Sequence, residues 1–304
     1  MDNQKKQMQE VAILYYEKNL TQSEIAKIMN LSRQTVSKLL NEAVKENIVE
    51  IKIHDPEITC IDLERELCSG YGLEKAIVCG VSTEDEELCR LITVRRAAGY
   101  LQGIIEQGNK RIGISWGRTI RQLTEELEEM KTFGNTVFPL FGATDTEEAY
   151  YLSNELARSF ADKIDAEVKY AWFPYRPDSV SDCGLFKKTS YYQKLSSLWE
   201  RIDLAVVGIG SRDIIKTFGK AFGYNEKGVC AIGDVSTHFF DAEGNFVEVY
   251  ENTLCASVEN LKNAKETVAI ACGKGKTEAI IGALRTNTIN TLITDEYTAR
   301  RLLS

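Results

Sequence analysis

The spacing of apolar residues changes along this chain and separates a short helical region from a long region of alternating strands and helices. Over the first fifty residues, apolar positions recur every three or four residues, which puts side chains on one face of an α-helix. From about residue 75 onward, short runs of apolar and β-branched residues alternate with amphipathic segments. This alternation predicts a parallel sheet that is covered on both faces by helices.

The first region is predicted to hold three helices. The opening helix carries apolar residues at i, i+3, i+4 and i+7, namely Met8, Val11, Ala12 and Tyr15. Thr21 and Glu24 have the capping-box spacing, in which the hydroxyl and the carboxylate satisfy backbone donors reciprocally, so a second helix is expected to begin there. Its inward-facing residues are expected to be Ile25, Ile28 and Met29.

A tight turn over residues 30–32 is expected before a third helix, for which Ser32 is the predicted N-cap. The apolar stripe of this helix consists of Val36, Leu39, Leu40, Ala43 and Val44. Its other face holds Arg33, Gln34, Ser37, Lys38 and Asn41, and the predicted DNA contacts are Arg33, Gln34, Thr35, Ser37 and Lys38. Arginine and glutamine can form bidentate contacts with base edges in the major groove, whereas threonine, serine and lysine suit phosphates or single edges. The pattern favours a helix-turn-helix that binds DNA, and a plain solvated helix face is the alternative.

The distribution of charge supports DNA binding, although the net charge of −8 does not. Residues 1–55 carry eight basic and eight acidic side chains, so the deficit lies in residues 56–304, which carry 29 basic and 37 acidic side chains. Residues 25–41 contain Lys27, Arg33 and Lys38 but no acidic residue. A local positive stripe of this kind is what neutralisation of DNA phosphates requires.

The alternating residues 48–56 predict a strand that ends at Pro56, and this proline marks the expected domain boundary. We therefore expect a helix-turn-helix domain at residues 1–56 and a second, α/β domain at residues 57–304. A helix over residues 57–71 is expected to connect them.

Seven apolar runs in the second domain predict the strands of a doubly wound, mostly parallel sheet. These runs begin near residues 76, 111, 136, 167, 204, 267 and 290, and several end in glycine. Amphipathic stretches at 86–106 and 120–130 are predicted to be covering helices, and residues 233–247 to form a strand, a turn at 241–244 and a return strand. In such sheets, ligands bind beyond the carboxyl ends of the strands, where loops lead into helix N-termini.

Three glycine-containing loops occupy such positions. In chain order they contain Gly117, Arg118 and Thr119; Gly208, Gly210 and Ser211; and Gly273 and Lys276. In the first, glycine permits close backbone approach and the helix start offers free amides to a phosphate, although an architectural turn is the alternative. The second lacks the third glycine of a dinucleotide fingerprint, and the third lacks the first glycine of a Walker A motif, so neither nucleotide cofactor is indicated. The lysine of the third loop either pairs with an anionic ligand or is solvated.

Other polar residues carry weaker signals. Asp234 either accepts hydrogen bonds from sugar hydroxyls or caps a turn, and His238 is interpreted as a packed or surface histidine. The eight cysteines include no CxxC pair and there are two histidines, His54 and His238, so reduced thiols and no metal site are expected. No run of about 18 apolar residues and no signal-peptide pattern occur, which predicts a cytoplasmic protein without membrane association.

Several segments, taken in order, resemble the SorC family of bacterial sugar-operon regulators: the helix-turn-helix, ISWGRT, VGIG, GDVSTHFFDAEG and the closing LITDEYTARRLL. The similarity covers nearly the whole chain. It implies a C-terminal domain related in fold to sugar-phosphate isomerases and glucosamine-phosphate deaminases, without their enzymatic activity. It further implies a phosphorylated sugar or polyol as effector and a homo-oligomer, either a dimer or a tetramer.

Carried over by position, the resemblance assigns the effector phosphate to the loop of Gly117, Arg118 and Thr119. It also implies ligand contacts from Lys276, Asp234 and Asn154. Phe141 stands where several family members have a basic or polar group that reaches the effector. Because a phenyl ring cannot bind a second phosphate, a singly phosphorylated ligand is favoured over a bisphosphate.

These observations predict a DNA-binding repressor of a sugar or polyol operon. Because symmetric oligomers present recognition helices in pairs, its double-stranded operator is expected to contain inverted half-sites. One alternative is an active isomerase or deaminase with an accessory helix-turn-helix, for which Asp145, Asp234 and His238 are the candidate bases. Another is a helical module that binds protein, which predicts no salt-dependent affinity for DNA.

Overall fold

A computed structural model of the protein describes residues 2–51, 60–144, 152–212 and 231–304. The chain divides into two compact units, Met1–Pro56 and Glu57–Ser304. Each unit has its own hydrophobic core, so the two are described separately.

The first unit is helical, as predicted. Its helices are α1 Asp2–Ala12, α2 Gln22–Met29 and α3 Arg33–Lys45, and a five-residue π-helical turn, Ile13–Glu17, follows α1. The core side chains are Met8, Val11, Ile25, Ala26, Val36, Leu39, Leu40 and Ala43. Most of these are the residues whose helical spacing predicted the three inward faces.

Side-chain caps define the turn between α2 and α3. At the start of α2, the Glu24 carboxylate accepts a hydrogen bond from the Thr21 N–H at 2.9 Å, and the Thr21 hydroxyl accepts one from the Glu24 N–H at 3.4 Å. Helix α2 ends at Asn30, whose φ of 52° is left-handed, and the Ser32 hydroxyl accepts a bond from the Thr35 N–H at 3.0 Å to start α3. Such caps are each worth about 1 kcal/mol. The capping box and the N-cap were both predicted from sequence.

Two residues expected in the core of this unit lie at its surface. Ile28 is 60% exposed and Val44 is 37% exposed, since each lies at the margin of its apolar stripe. The predicted strand also fails to begin at residue 48: the N–H groups of Ile48 and Val49 both donate to the carbonyl of Ala43 and close the end of α3. The remainder of that prediction, including His54 and Pro56, lies outside the described residues.

The second unit is built on a mostly parallel sheet. Its strands are β1 Lys75–Cys79, β2 Arg111–Ile114, β3 Thr136–Pro139, β4 Glu167–Val168, β5 Leu204–Ser211, β6 Gly233–Val235, β7 His238–Phe240, β8 Phe246–Val247, β9 Glu266–Ile270 and β10 Thr291–Asp295. Seven of them lie side by side in the order β1-β10-β9-β5-β2-β3-β4, and all the pairs along this path are parallel. Strands β6, β7 and β8 extend β5 as an antiparallel ladder.

Helices connect the strands, as the alternation of patterns predicted. They are α4 Ile61–Tyr71, α5 Glu86–Ile105, α6 Arg118–Glu126, α7 Ser153–Lys163, α8 Val180–Lys187, α9 Ser190–Trp199, α10 Val258–Lys262, α11 Thr277–Arg285 and α12 Glu296–Leu302. A short 3₁₀ turn, Lys274–Lys276, precedes α11. The central strands are buried along most of their length; Val206, Val268 and Ile293, for example, have no exposed surface. Burial on both faces explains why these strands read as continuous apolar runs.

Three predicted segments of this unit are shorter or more broken than expected. Strand β4 has two residues instead of seven, and α6 ends at Glu126 because Leu127 adopts an extended conformation. The segment 233–247 forms three short strands, because Ser236 and Thr237 have left-handed φ values of 47° and 73° and reverse the chain. Non-glycine residues seldom adopt this conformation, so the sequence carried no signal for the turn.

Candidate functional sites

A pocket of about 280 Å³ lies at the carboxyl ends of β2, β5 and β9, which are neighbours in the centre of the sheet. Each of these strands leads into one of the three glycine-containing loops. Nine of the predicted effector-binding residues line the pocket: Gly117, Arg118, Thr119, Gly208, Gly210, Ser211, Asp234, Gly273 and Lys276. The residues that were not predicted are Glu86, Arg90, Trp116, Ile209, Cys272 and Gly275. The structure therefore joins loops that are far apart in sequence into one concave site.

Glycine is required where two of the loops turn toward their helices. Gly117 and Gly273 have φ values of 113° and 107°, a region that other residues rarely adopt. Gly117 is the N-cap of α6, and no side chain caps this helix. The N–H groups of the first turn of α6 are consequently available to a ligand at the edge of the pocket.

Asp234 enters the pocket through the antiparallel pairing of β5 with β6, in which it stands opposite Gly210. A Cβ atom on Gly210 would lie 1.9 Å from the Asp234 Oδ1, so this glycine leaves the space that the carboxylate occupies. Asp234 is 3% exposed, and one of its oxygens accepts a hydrogen bond from the Thr237 N–H at 3.2 Å. Burial raises the pKa of Asp234 to about 6, against the lowering effects of the Thr237 N–H and the positive charge of Lys276.

Lys276 supplies a fixed positive charge on the same side of the sheet. Its ammonium group donates to the carbonyl of Ile209 at 2.9 Å, which ties the third loop to β5. Burial lowers the pKa of Lys276, and the positive charges of Arg118 and Arg90 add to the lowering. Three cationic side chains thus converge on a pocket in which Asp234 is an acidic group, an arrangement that suits an anionic ligand carrying hydroxyl groups.

Arg90 is the most informative residue that the sequence analysis missed. It projects from α5, and its Nε donates to the Gln122 side chain of α6 at 3.1 Å, which holds the guanidinium beside the start of α6. Glu86 lies one helical turn earlier and also lines the pocket. Their i,i+4 spacing at the beginning of the helix after β1 was the available signal, because that position also lies beyond the carboxyl end of a strand.

Two predicted effector-binding residues, Phe141 and Asn154, do not line this pocket. Phe141 is 1% exposed and packs edge-on against Trp116 and Tyr175, with ring centroids 6.5 and 5.7 Å apart. The Asn154 amide donates to the carbonyl of Ala171 at 3.0 Å and its oxygen accepts from the Ala171 N–H at 2.8 Å. Phe141 therefore packs behind Trp116, which lines the pocket, and Asn154 joins α7 to the segment after β4.

His238 is held by a hydrogen bond to the backbone. The His238 Nε2 lies 2.7 Å from the carbonyl oxygen of Ala256, and burial lowers the pKa of the imidazole, so this histidine is packed.

Within the described ranges, no group of three or more His, Cys, Asp or Glu side chains is arranged to hold a metal ion. Asp145, a candidate base in the enzyme alternative, lies outside them. No helix in the described part of the chain has the length and apolar character needed to cross a membrane.

The predicted DNA-binding face lies at the start of α3. Arg33, Gln34, Thr35 and Lys38 are exposed, and Ser37 is half-buried. The Thr35 hydroxyl is 2.7 Å from that of Ser32, so it also takes part in the cap. The Lys38 ammonium lies 3.7 Å from the carboxylate of the half-buried Glu42, and because Lys38 itself is 76% exposed, this ion pair is weak and easily exchanged for a phosphate contact.

Comparison with known proteins agrees with both units. Residues 55–304 match the Sugar-bind family of sugar-binding domains, and residues 5–46 match region 4 of Sigma-70. The chain is 31% identical to the sorbitol operon regulator of Klebsiella pneumoniae, over 96% of each chain. It is 29% identical to the deoxyribonucleoside regulator of Bacillus subtilis, over 100% of this chain and 99% of that one. The crystal structure of full-length SorC from Klebsiella pneumoniae is similar over 100% of both chains, with a TM-score of 0.72 and 30% identity.

These matches define a helix-turn-helix transcriptional regulator with a sugar-binding domain, not an enzyme. The chain belongs to the SorC family of bacterial sugar-operon transcriptional regulators. This confirms the family resemblance and the fold class that the sequence indicated.

Proposed function

We propose that the protein represses a sugar or polyol catabolic operon and that a phosphorylated sugar or polyol, bound in the central pocket, lowers its affinity for the operator. One observation carries this proposal: three cationic side chains, Arg90, Arg118 and Lys276, converge beside the uncapped start of α6 and next to the buried Asp234. Such a pocket has one end suited to an anion and another suited to hydroxyl groups.

The phosphate is assigned to the loop Gly117–Thr119. Helix N-termini bind phosphate through their free N–H groups and their positive dipole, and Arg118 and Arg90 add charge at the same place. Asp234 accepts hydrogen bonds from ligand hydroxyls; with a pKa of about 6, its carboxyl group is ionised at neutral pH and can serve as an acceptor.

The ligand is a singly phosphorylated sugar or polyol. At position 141, where the resemblance implies a basic or polar group in several family members, the chain has a phenyl ring that is buried against Trp116 and Tyr175 and supplies no charge for a second phosphate. The relatives named as a sorbitol operon regulator, a deoxyribonucleoside regulator and, in Brucella abortus, an erythritol catabolism regulatory protein support the sugar or polyol part of this assignment.

On the DNA side, we assign base and phosphate contacts to Arg33, Gln34, Thr35, Ser37 and Lys38. The protein acts in the cytoplasm as a homo-oligomer, a dimer or a tetramer, whose paired recognition helices fit inverted half-sites. Ligand binding shifts the population of the DNA-competent arrangement, and the shift cannot exceed the difference between the ligand's affinities for the two arrangements.

A thermal-shift screen of the full chain tests the ligand assignment. The panel contains sorbitol 6-phosphate, ribose 5-phosphate, glucosamine 6-phosphate and inorganic phosphate, with the unphosphorylated compounds as controls. A ligand present at about 100 times its Kd stabilises the folded state by about 2.7 kcal/mol, a rise of several degrees in Tm. No shift with any sugar or polyol phosphate would contradict the proposal.

A matched pair of glycine variants locates the binding site in the same screen. Gly210→Ala places a methyl group where Asp234 lies and is expected to abolish the ligand-dependent shift. Gly103→Ala, on α5, meets no atom within 4 Å and should keep the full shift. Equal shifts in the two variants would place the ligand elsewhere.

A further inference from the structure

We propose that Thr298 and Tyr71 transmit the occupancy of the pocket to α4 through α12. Helix α4 is the first described helix after the DNA-binding unit along the chain, so its position is a natural output of the sugar-binding domain. This inference rests on the proposed function, because it assigns the route by which that pocket influences DNA affinity.

The pocket is tied directly to the first turn of α12. The Gly273 N–H, in the third loop of the pocket, donates to the Thr298 hydroxyl at 2.8 Å. That hydroxyl in turn donates to the carboxylate of Asp295, which also accepts a bond from the Thr298 N–H at 2.9 Å and so caps α12. Thr298 is completely buried and Asp295 is 1% exposed.

The other side of α12 is joined to α4 near both of its ends. The Tyr71 hydroxyl, at the end of α4, donates to the carbonyl of Leu302 at 2.5 Å. At the opposite end, α4 begins after Cys60 and α12 begins at Glu296, and the two helices pack against each other. Burial and then the charge of Glu296 raise the pKa of the Cys60 thiol. Leu67 of α4 has no exposed surface, and Leu302 has 4%.

This chain of hydrogen bonds, whose centre at Thr298 and Asp295 is buried, makes α12 follow the pocket loop. If the loop moves when a ligand contacts Lys276 or Gly273, the half-buried Gly273 N–H loses free energy unless it keeps its bond to Thr298, whose side chain is completely buried. Close-packed helices move as units instead of deforming continuously. Helix α12 therefore shifts with the loop, and the bond between Tyr71 and Leu302 carries the shift to α4.

The test measures operator affinity of the full chain with and without the sugar phosphate that gives the largest thermal shift. The coupling ratio is the operator Kd with ligand divided by that without it. Tyr71→Phe removes only the hydroxyl that reaches Leu302 and is expected to lower the ratio at least threefold, with the ligand Kd unchanged within twofold. Tyr100→Phe is the matched control: it removes a hydroxyl that donates to Glu266 and accepts from Lys75, residues that belong to neither α4 nor α12, and it should keep the wild-type ratio.

The pocket end of the route is tested with Thr298→Val, which keeps the side-chain volume but removes the acceptor for Gly273. This variant is expected to weaken ligand binding about tenfold and to lower the coupling ratio, whereas Thr298→Ser, which keeps the hydroxyl, restores both. Thr267→Val, which removes a buried hydroxyl bonded to Leu261 at 3.1 Å, should behave like the wild type. Hydrogen exchange should show ligand-dependent protection of residues 61–71 in the wild type but not in Tyr71→Phe.

The outcomes distinguish failure of the proposed function from failure of the transmission route. A wild-type coupling ratio of one would overturn the proposed function, and this inference with it. A responsive wild type whose ratio and whose α4 protection are unchanged in both Tyr71→Phe and Thr298→Val would overturn the transmission route alone.

Discussion

The two units of this protein present their charged groups in opposite ways. On α3, the side chain of Lys38 is 76% exposed, and Arg33 and Gln34 also lie at the surface. In the central pocket, Asp234 is 3% exposed, and burial perturbs the pKa values of both Asp234 and Lys276. The exposed cations of α3 suit a polyanion such as DNA, whose phosphates are densely spaced and carry exchangeable counterions. The buried charged groups of the pocket suit a small ligand that is selected by its shape.

This contrast predicts different sensitivities. Exposed cations bind DNA by displacing condensed counterions, so the affinity of α3 for the operator should fall steeply with added salt. Buried groups are screened much less by salt, so ligand binding in the pocket should respond mainly to pH and to small changes of volume.

The largest expected effect comes from the core that presents the exposed face. Ile25→Ala removes a side chain without exposed surface and should lower the free energy of unfolding of the first unit by about 2–5 kcal/mol. Ile28→Ala, three residues along the same helix, removes a side chain that is 60% exposed and should change it by less than about 0.5 kcal/mol. Urea denaturation followed by circular dichroism measures both. Equal losses would mean that Ile28 is buried after all.

The next effect concerns the exposed face itself. Arg33→Ala should weaken specific operator binding by about 1–3 kcal/mol, because a bidentate contact with a base is lost. Lys45→Ala, at the other end of α3, removes a cation outside the predicted face and should have a smaller effect. Fluorescence anisotropy with labelled operator, repeated at several salt concentrations, compares them. Similar losses for the two variants would remove Arg33 from the recognition face.

The smallest effect is the pH response of the buried pocket. Because the folded-state pKa of Asp234 is about 6 and its ordinary value is 3.8, its contribution to stability is present below pH 4 and is lost as the pH rises through 6. That loss is at most about 3 kcal/mol. Asp234→Asn does not titrate, so its Tm relative to the wild type should be higher at pH 8 than at pH 4.5.

Asp241, in the turn between β7 and β8, provides a control of opposite sign. Hydrogen bonds from Asn245 hold the pKa of Asp241 below its ordinary value, so its carboxylate stabilises the fold above that value. Asp241→Asn should therefore be less stable than the wild type at pH 8 and converge with it as the pH falls. Thermal melts across this range measure both variants, and parallel curves would contradict the assignment of Asp234 as a buried acid.

The two units also differed in how far the sequence could predict them. The first unit was predictable because its signals are local: the cap pairs Thr21 with Glu24 and Ser32 with Thr35 each span three residues. The prediction was wrong where burial depends on packing against a neighbouring helix, as at Ile28. The three pocket loops were also predictable, since each has a buried strand, a glycine and a helix in immediate succession.

The pocket's remaining walls depended on packing between distant segments. The position of Arg90 near the start of the helix after β1 was a signal for the pocket, but its contact with Gln122 of a different helix could not be read from periodicity along one helix. Asn154 and Phe141 were assigned by resemblance, and the structure directs both side chains into the protein's own framework. The Ser236–Thr237 turn had no local signal, because neither residue is typical of a left-handed conformation.

The most direct test of the central claim measures the operator Kd of the full chain at constant salt, with and without the best sugar phosphate of the panel. If ligand binding in the buried pocket controls the affinity of α3 for the operator, the ligand should raise the operator Kd at least tenfold, which corresponds to about 1.4 kcal/mol of coupling. An operator Kd that stays the same when the ligand saturates the pocket would show that the two units act independently.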